Sequence, residues 1–400
     1  MKAKWVNYTM QTITNKVVSF FLAIIIISCT PSPSKKNINI NEPLNFRVEP
    51  ARDWTDLFLR DSGWFGADGV FSIPLDGNDS YNPDREVLMI FSDTYVGQVI
   101  NNVPVHDTMI NNSAAIFKGE TVNKENLHFF INHDKNGPIS FFQPEGADTT
   151  GEYFWLGDGF VNRDLGGKLY LFAYHIRKTG ENVFDFEELD VSLLRSSSVQ
   201  PPFAGYEQLS TPLHLDITDV GKGNLGAGLL VNTKWAGAPD PDGYIYVYGC
   251  IGEDKNLVVS RAPSATFEDF GTWEYWSNSE WSSDINSLKP VTKAVSNELS
   301  VTPLPDGRYL LTFQVLGISD KVGIMIGASP VGPFSDIQEI YRTPEIEEGL
   351  LPYNAKAHPA LSKPGELLIS YNTISFDFWN DIKKDAHIYR PRFIRMIFED

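Results

Sequence analysis

Three carboxylates occupy similar places in three repeated segments of the sequence. Asp68 lies in GADG, Asp158 in LGDG and Glu298 in SNELS, each beside or within a short strand-like run. Two carboxyl groups can hydrolyse a glycosidic bond, because one protonates the leaving oxygen while the other attacks the anomeric carbon or activates water. A third can set their charge states, since close like charges push pKa values apart. The three residues therefore favour glycoside hydrolysis, if the fold brings them together.

Each of these acids also has a structural interpretation. Asp68 and Asp158 both stand in Asp-Gly pairs, which are common in turns, so either can be a turn residue. Glu298 shares a strand face with Ser300 and Thr302, as in a solvated face. The catalytic interpretation requires the three acids to lie close together in the fold, whereas the structural interpretation does not.

Several other residues are candidates for substrate binding. Aromatic side chains that can stack on sugar faces precede two of the acids: Trp64 and Phe65 before Asp68, and Tyr153, Phe154 and Trp155 before Asp158. Asp93, in FSDT, is expected to orient a neighbouring group or to cap a turn. The remaining candidates are Trp235, Lys356, His358, Arg390 and Arg392.

These remaining candidates also have alternative roles. His358 fits equally well as a packed, hydrogen-bonded histidine or as a ligand-binding residue. Trp235 and Tyr353 are typical of a core. Arg390 and Arg392, in YRPRF, suit either a substrate clamp or a structural ion pair.

The elements that must position these residues are short strands. Alternating apolar runs bounded by Gly, Pro, Asn and Asp recur along the chain, while long stretches with helical periodicity are nearly absent. Five runs share one pattern of turn residues followed by an aromatic or aliphatic strand, at a spacing of roughly 70 residues. They are REVLMIFSDT, GKLYLFAYH, GYIYVYGCI, GRYLLTFQV and GELLISYNT.

A shorter strand precedes each of these runs and another follows it. Repeated units of antiparallel strands predict an all-β fold, and here a five-bladed β-propeller forming a single domain over residues 46–400. The stretch 45–60 is expected to supply a strand that closes the ring against the last blade. The first strands of all blades line the axis, which would gather Asp68, Asp158 and Glu298 at one end of a channel.

The N-terminus resembles a bacterial lipoprotein signal. Residues 1–28 combine lysines with an apolar run too short to span a bilayer, and Cys29 follows a small residue. The segment 29–45 is typical of a flexible tether. We expect lipidation at Cys29 and a place in the bacterial cell envelope, on the periplasmic or outer-membrane surface, with the lipid as the only membrane contact. An ordinary signal peptide is the alternative.

The charge and composition of the chain limit the classes of ligand that we expect. The formal net charge is −18, and it becomes −21 after cleavage at Cys29, because three lysines and no acids are removed. Such a chain repels nucleic acid and anionic polymers, so the expected partner is a neutral oligo- or polysaccharide. Cys250 is then a buried free thiol, and no metal site or cofactor motif is present, although a structural Ca²⁺ is compatible with the many Asn and Asp residues.

At these residues the chain resembles five-bladed propeller glycosidases. WFGADGVFSIPL with LMIFSDTYVG, and FWLGDGFV with KLYLF, look like the domain-of-unknown-function propellers of Bacteroidetes, including endo-D-arabinanases of glycoside hydrolase family 183. The two aspartates and one glutamate resemble, more distantly, families 43 and 32. The family 32 signatures WMNDPNG and RDP are missing, and Glu298 does not follow the usual pattern around the family's glutamate.

The resemblance implies a hydrolase of arabinan-like, furanose-containing glycans. By it, Asp68 is nucleophile or base, Asp158 the second aspartate and Glu298 the general acid. Two other functions stay open on the residues alone. One is a lipid-anchored glycan-binding propeller without chemistry, and the other is a structural propeller that docks proteins through an exposed apolar face.

Overall fold

The computed structural model describes residues 38–399, and over this range the predicted all-β class is confirmed. The signal peptide and Cys29 lie outside the described residues. The strands are β1 Phe46–Pro50, β2 Ser62–Ala67, β3 Phe71–Pro74, β4 Glu86–Phe91, β5 Thr94–Ile100, β6 Val103–Ile110, β7 Ser113–Lys118, β8 Leu127–Phe130, β9 Asn132–Asp134, β10 Gly137–Ile139, β11 Tyr153–Asn162, β12 Lys168–Lys178, β13 Phe186–Ser196, β14 Glu207–Ser210, β15 His214–Ile217, β16 Gly221–Asn232, β17 Tyr244–Ile251, β18 Asn256–Pro263, β19 Glu274–Trp276, β20 Trp281–Ser282, β21 Leu299–Pro303, β22 Tyr309–Gln314, β23 Lys321–Gly327, β24 Gln338–Arg342, β25 Leu351–Ala357, β26 Glu366–Ile374 and β27 Arg392–Phe398.

The helices are short. The α-helices are α1 Arg52–Thr55, α2 Ala147–Thr150 and α3 Phe378–Asp381, and the 3₁₀ turns are Asp56–Phe58, Arg163–Leu165, Ser264–Thr266, Phe270–Thr272, Ile285–Ser287, Pro344–Glu348, Pro359–Leu361 and Ala386–Tyr389. Within residues 38–399, no helix is both long and apolar enough to cross a membrane.

Antiparallel sheets of four or more strands follow one another along the chain. Their strand orders are β3-β4-β7-β8, β11-β12-β13-β14, β15-β16-β17-β18-β19-β20, β21-β22-β23-β24 and β25-β26-β27-β1. We call them sheets 1 to 5. A three-stranded sheet, β2-β5-β6, extends the first three strands of sheet 1. Sheets 1 to 4 are therefore built from neighbouring segments of sequence, as the repeated turn-and-strand pattern predicts, and sheet 5 adds the N-terminal strand β1 to β25, β26 and β27.

Inner strands of successive sheets touch in order. The contacts run from β3 to β11, then to β16, β21 and β25, and the 3₁₀ turn Pro359–Leu361 after β25 packs against β3. A hydrogen bond of 3.0 Å between Ser72 and His358 joins the last sheet to the first. The arrangement is propeller-like, with the inner strands around a common centre.

The predicted strand within 45–60 is confirmed as β1. It pairs with β27 from Phe46 opposite Phe398 to Pro50 opposite Ile394, so an N-terminal strand completes the C-terminal sheet. This pairing covers the edge that β27 would otherwise expose.

Apolar side chains fill the spaces between neighbouring sheets. Phe71 and Ile73 of sheet 1 pack with Phe154 and Leu171 of sheet 2 in one buried cluster. Similar clusters join sheets 2 and 3, 3 and 4, and 4 and 5. Because both faces of every inner strand are covered, the polar residues among them need specific partners.

Candidate active site

Asp68 lies at one of the breaks between sheet 1 and the three-stranded sheet β2-β5-β6 that extends it. The breaks fall between β2 and β3, between β4 and β5, and between β6 and β7. Across the first two breaks, the Asp68 amide donates to the Asp93 carbonyl at 3.4 Å, and the Ser92 amide donates to the Asp68 carbonyl at 2.9 Å. Gly69 has a φ of +62°, and a Cβ there would lie 2.6 Å from the Ser92 hydroxyl oxygen. The glycine therefore makes the turn, which leaves the neighbouring carboxylate free for another role.

Asp158 sits on a β-bulge in the inner strand of sheet 2. The register between β11 and β12 shifts between Leu156 and Gly159. One carboxylate oxygen accepts from the amide of Gly159 and the other from the amide of Leu229 in sheet 3, both at 2.8 Å. Bulges re-aim side chains, and here the carboxylate is fixed between two sheets.

Glu298 and Lys356 come from sheets 4 and 5 and form an ion pair. Glu298 immediately precedes β21, and Lys356 follows a register shift that begins at Tyr353 in β25. The second Glu298 oxygen accepts from the side-chain amide of Asn354 at 2.8 Å. Asn354 has a φ of +56°, an uncommon conformation for a residue other than glycine that concentrates at functional sites.

Lys356 is the residue that relates the three acids to one another. Its side chain is only 3% exposed, and its Nζ lies 3.3 Å from the centre of the Phe71 ring in sheet 1. Burial lowers the pKa of Lys356 well below its usual value, whereas attraction to Asp158 and Asp68 raises it. Carboxylates from sheets 1, 2 and 4 are therefore close enough to act on one buried ammonium group.

Burial also changes the charge states of the aspartates. It raises the pKa of Asp158 to about 7, although the two amide donors and Lys356 oppose this. The pKa of Asp93 rises to about 7 through burial and through repulsion by Asp68, with the Asn111 hydrogen bond of 2.9 Å opposing. Asp68 has a pKa raised by burial and lowered by its hydrogen bond from Tyr353 and by Lys356. Asp68 and Asp93 thus titrate as an interacting pair.

Tyrosines that the sequence did not single out as site residues surround Asp68. The Tyr353 hydroxyl donates to the Asp68 carboxylate at 2.7 Å. Tyr389 also lies beside that carboxylate, and burial raises its pKa well above the ordinary value. The sequence alone favoured a core position for Tyr353. Tyr353 pairs with Asn372 in the regular register before the bulge in β25, and its hydroxyl reaches an acid of sheet 1 that lies far away in sequence.

Two aromatic candidates are corrected by the structure. Trp64 and Phe65 are 1% and 0% exposed. Trp64 stacks on Phe129 at 4.4 Å between ring centres, and Phe65 packs against Tyr95 at 5.6 Å. Neither ring offers a free face to a sugar. Trp155, in contrast, is partly exposed and lies beside Asp93.

The remaining candidates make structural contacts. His358 is buried between the hydroxyls of Ser72 and Ser370, and burial lowers its pKa to about 3, so it is neutral. Trp235 donates to Asp164 at 2.9 Å, and its ring packs near Gly77. Neither residue contacts the acid cluster in this arrangement.

The two arginines are also structural. Arg390 donates to the carbonyls of Phe65 at 3.0 Å and Arg60 at 2.7 Å. Arg392 pairs with Glu345 at 3.3 Å. Arg392 therefore forms the structural ion pair that was one of its two expected roles, whereas Arg390 binds backbone carbonyls instead.

A cavity of about 250 Å³ lies between the inner strands, and Asp158 and Lys356 line it. Asp79 also lines it, and burial together with repulsion by Asp158 raises the pKa of Asp79 to about 7. Over the described residues, no group of three or more His, Cys, Asp or Glu side chains has a metal-binding arrangement.

The fold and the acid cluster define an all-β protein of propeller-like architecture with a carboxylate-rich centre. The family model described as a domain of unknown function, DUF5005, matches residues 51–398, and the chain belongs to this family. A search of curated proteins found no match.

One solved structure shows the same fold, and two further structural neighbours are more distant. A Bacteroides ovatus protein provisionally described as a hydrolase is 20% identical, with a TM-score of 0.67 over 90% of this chain and 97% of that one. The α-L-arabinofuranosidase of Podospora anserina is 11% identical, with a TM-score of 0.44 over 89% and 97% of the two chains. An exo-β-1,3-galactanase of Phanerochaete chrysosporium is 9% identical, with a TM-score of 0.45 over 84% and 62%. The structural neighbours thus include glycoside hydrolases.

Proposed function

We propose that this protein is a glycoside hydrolase acting on a neutral, furanose-containing glycan of the arabinan type. The observation that carries the proposal is the cluster of Asp68, Asp158 and Glu298 around Lys356. Turn residues or solvated strand faces would not need a shared buried cation. The negative net charge of −18 disfavours anionic polymers as substrates.

The chemistry needs an ionised and a protonated carboxyl at the same pH. Asp68 is suited to be the nucleophile or base, because Tyr353 and Lys356 both stabilise its charged form while Asp93 takes up the proton of the pair. Asp158, held by two amides, fits a supporting position that keeps the cluster's charge balanced.

Glu298 accepts from the Lys356 side chain and from the side-chain amide of Asn354. The proton that it would give to a leaving oxygen is the one shared with Lys356. Burial lowers the pKa of Lys356 and so favours moving that proton from Nζ to the Glu298 Oε2 atom. Donation to the substrate then leaves Glu298 as a carboxylate beside a neutral amine, and a water proton restores the pair.

The architecture completes the proposal. We interpret sheets 1 to 5 as the blades of a single five-bladed propeller over residues 46–400, because their inner strands contact one another in sequence and the last sheet returns to the first. We further propose that lipid at Cys29 anchors the enzyme in the cell envelope, where polysaccharides are processed.

The test is a set of isosteric variants assayed on arabinan and on 4-nitrophenyl furanosides. Asp68→Asn, Asp158→Asn and Glu298→Gln should each lower turnover at least about 100-fold with folding intact, as for the loss of general acid or base catalysis. Asp216→Asn is the matched control, because this carboxylate is 70% exposed on β15. Unchanged rates in all three site variants would reject the hydrolase.

A glycan-binding protein without chemistry is the second candidate. It is favoured because both carboxylate oxygens of Glu298 already accept hydrogen bonds from other side chains of the protein. Retardation in gels containing arabinan, with no new reducing ends after long incubation, would select it over the hydrolase.

A further inference from the structure

The exposed apolar side chains of the described residues lie at one end of the molecule. The inner strands of sheets 1 and 4 begin near Asp68 and Glu298. The second strand of each sheet runs antiparallel to the first, so it ends where the first began, and the connection from the second to the third strand lies at that same end. The large apolar residues with the greatest exposure all lie on these connections: Ile100, Val103, Phe184, Phe186, Leu316, Ile318 and Phe376. We call these seven residues the apolar rim.

One part of this rim continues to the acids. Phe184 and Phe186, 57% and 37% exposed, lie at the connection from β12 to β13. Phe186 packs on Trp155 with 4.6 Å between ring centres, and Trp155 lies 5.9 Å from Tyr153. Tyr153 and Trp155 belong to β11, and the Leu156 amide of this strand donates to the hydroxyl oxygen of Ser92, next to Asp93, at 2.9 Å. Burial raises the pKa of Tyr153, and Asp93 and Asp68 raise it further. We call Tyr153, Trp155 and Phe186 the aromatic lane, and Phe184 is its exposed neighbour in the sequence.

We propose that the aromatic lane binds successive units of an extended neutral polysaccharide, so that the acids cleave within a polymer instead of releasing a single terminal sugar. This inference rests on the proposed function, which it deepens by naming the substrate as a chain.

Three features select this occupant. Aromatic rings stack on the apolar faces of sugars, and a lane that begins in solvent and ends at carboxylates matches a chain entering a site. Charges beside the lane are already paired, since Arg177 contacts Glu152 at 2.8 Å and Glu187 at 3.1 Å. A docked protein would cover the rim but has no reason to follow the aromatic rings inward to Asp93.

The experiment compares arabinofuranose oligosaccharides of increasing length with 4-nitrophenyl arabinofuranoside. In the unmodified protein, kcat/KM should rise with chain length until the lane is filled. Phe186→Ala, alone and with Phe184→Ala, should lower kcat/KM for the long oligosaccharides by about 3- to 10-fold, the value of one lost stacking contact, and leave the nitrophenyl substrate unchanged. Both side chains are partly or largely exposed, so the variants should fold.

Phe376→Ala is the matched control, because Phe376 is 78% exposed on another connection of the same rim. It should behave as the unmodified protein does. A flat dependence on chain length would overturn the lane, and so would an equal loss in the Phe376 variant. Loss of binding to a protein partner with unchanged polymer cleavage would also overturn it.

The lane and the hydrolase can fail separately. Retardation in arabinan gels that weakens in the Phe186 variant, without any hydrolysis, would keep the lane and reject the enzyme. Hydrolysis that ignores both chain length and Phe186 would keep the enzyme and reject the lane. Neither hydrolysis nor retardation would reject both.

Discussion

The ion pair between Glu298 and Lys356 gives the sharpest test of the site. Replacing Lys356 by Met removes the cation while keeping most of the side-chain volume. Glu298 is then left 13% exposed without its charged partner, and Asp68 and Asp158 lose an attraction that favours their ionised forms. Breaking a buried pair from one side costs about 3–5 kcal/mol in the free energy of unfolding.

Removing Glu298 instead should cost less, about 1–3 kcal/mol. In Glu298→Gln the ammonium keeps Asp158 and Asp68 as partners, and its low pKa allows it to lose its proton. The double variant leaves neither charge unpaired, so its cost should fall short of the sum of the two by about 2 kcal/mol, within the range known for residues in direct contact.

Urea denaturation followed by tryptophan fluorescence at pH 7 measures these costs. The loss in Lys356→Met should be larger at pH 8 than at pH 5. Without the cation the aspartate pKa values rise further in the folded state, and stability held by a raised carboxyl pKa disappears as pH increases through it. Additive single costs within about 0.5 kcal/mol would refute the pairing. A pH-independent loss would refute the link to the aspartates.

Three further outcomes follow from burial. The pKa of Asp93 is about 7 in the folded protein, against an ordinary value of 3.8. The stability due to its protonation is therefore complete below pH 4 and is lost as pH rises through 7. In urea denaturation, Asp93→Asn should be about 1–3 kcal/mol more stable than the unmodified protein at pH 8 and equal to it at pH 4. A difference that is constant with pH would contradict this shift. Trp64→Ala should lower the free energy of unfolding by about 3–5 kcal/mol, because Trp64 is buried. Phe376→Ala should change it by less than about 0.5 kcal/mol, because Phe376 is exposed. Equal melting temperatures for the two variants would show that Trp64 is not a core residue. Burial raises the pKa of the Cys250 thiol to about 11. In a Cys29→Ser chain, where Cys250 is the remaining cysteine, an aromatic disulfide reagent at pH 8 should therefore react with this thiol only after urea is added. Rapid reaction of the folded protein would contradict this expectation.

The all-β class could be predicted because its signals are local. Period-two alternation and turn residues are written into each strand separately, and their repetition marks successive sheets. The same repetition gave Asp68, Asp158 and Glu298 similar places beside inner strands, which is how their proximity to Lys356 could be expected without coordinates.

The aromatic neighbours could not be predicted in this way. Trp64 precedes Asp68 directly, but its burial depends on the extension β2-β5-β6 and on Phe58 and Phe129, which are distant in sequence. Tyr353 was missed for a different reason. Its side chain packs against a core cluster while its hydroxyl meets Asp68, 285 residues away in sequence, and a local alternation pattern does not show such a contact.

The physical demand of the site explains why a lysine belongs at its centre. Four carboxyls, of Asp68, Asp93, Asp158 and Glu298, lie in a region where burial disfavours charge, and without a cation crowding would leave most of them protonated. Attraction to Lys356 opposes the rise in the pKa of Asp68 and of Asp158, whereas the rise in the pKa of Asp93 is opposed only by hydrogen bonds from its neighbours. Because the pKa values of Asp93 and Asp158 both lie at about 7, protonated and ionised carboxyls coexist in the cluster at neutral pH. A neutral residue at position 356 would shift the whole cluster towards the protonated state, and bond cleavage that needs both forms would be lost even with every carboxylate in place.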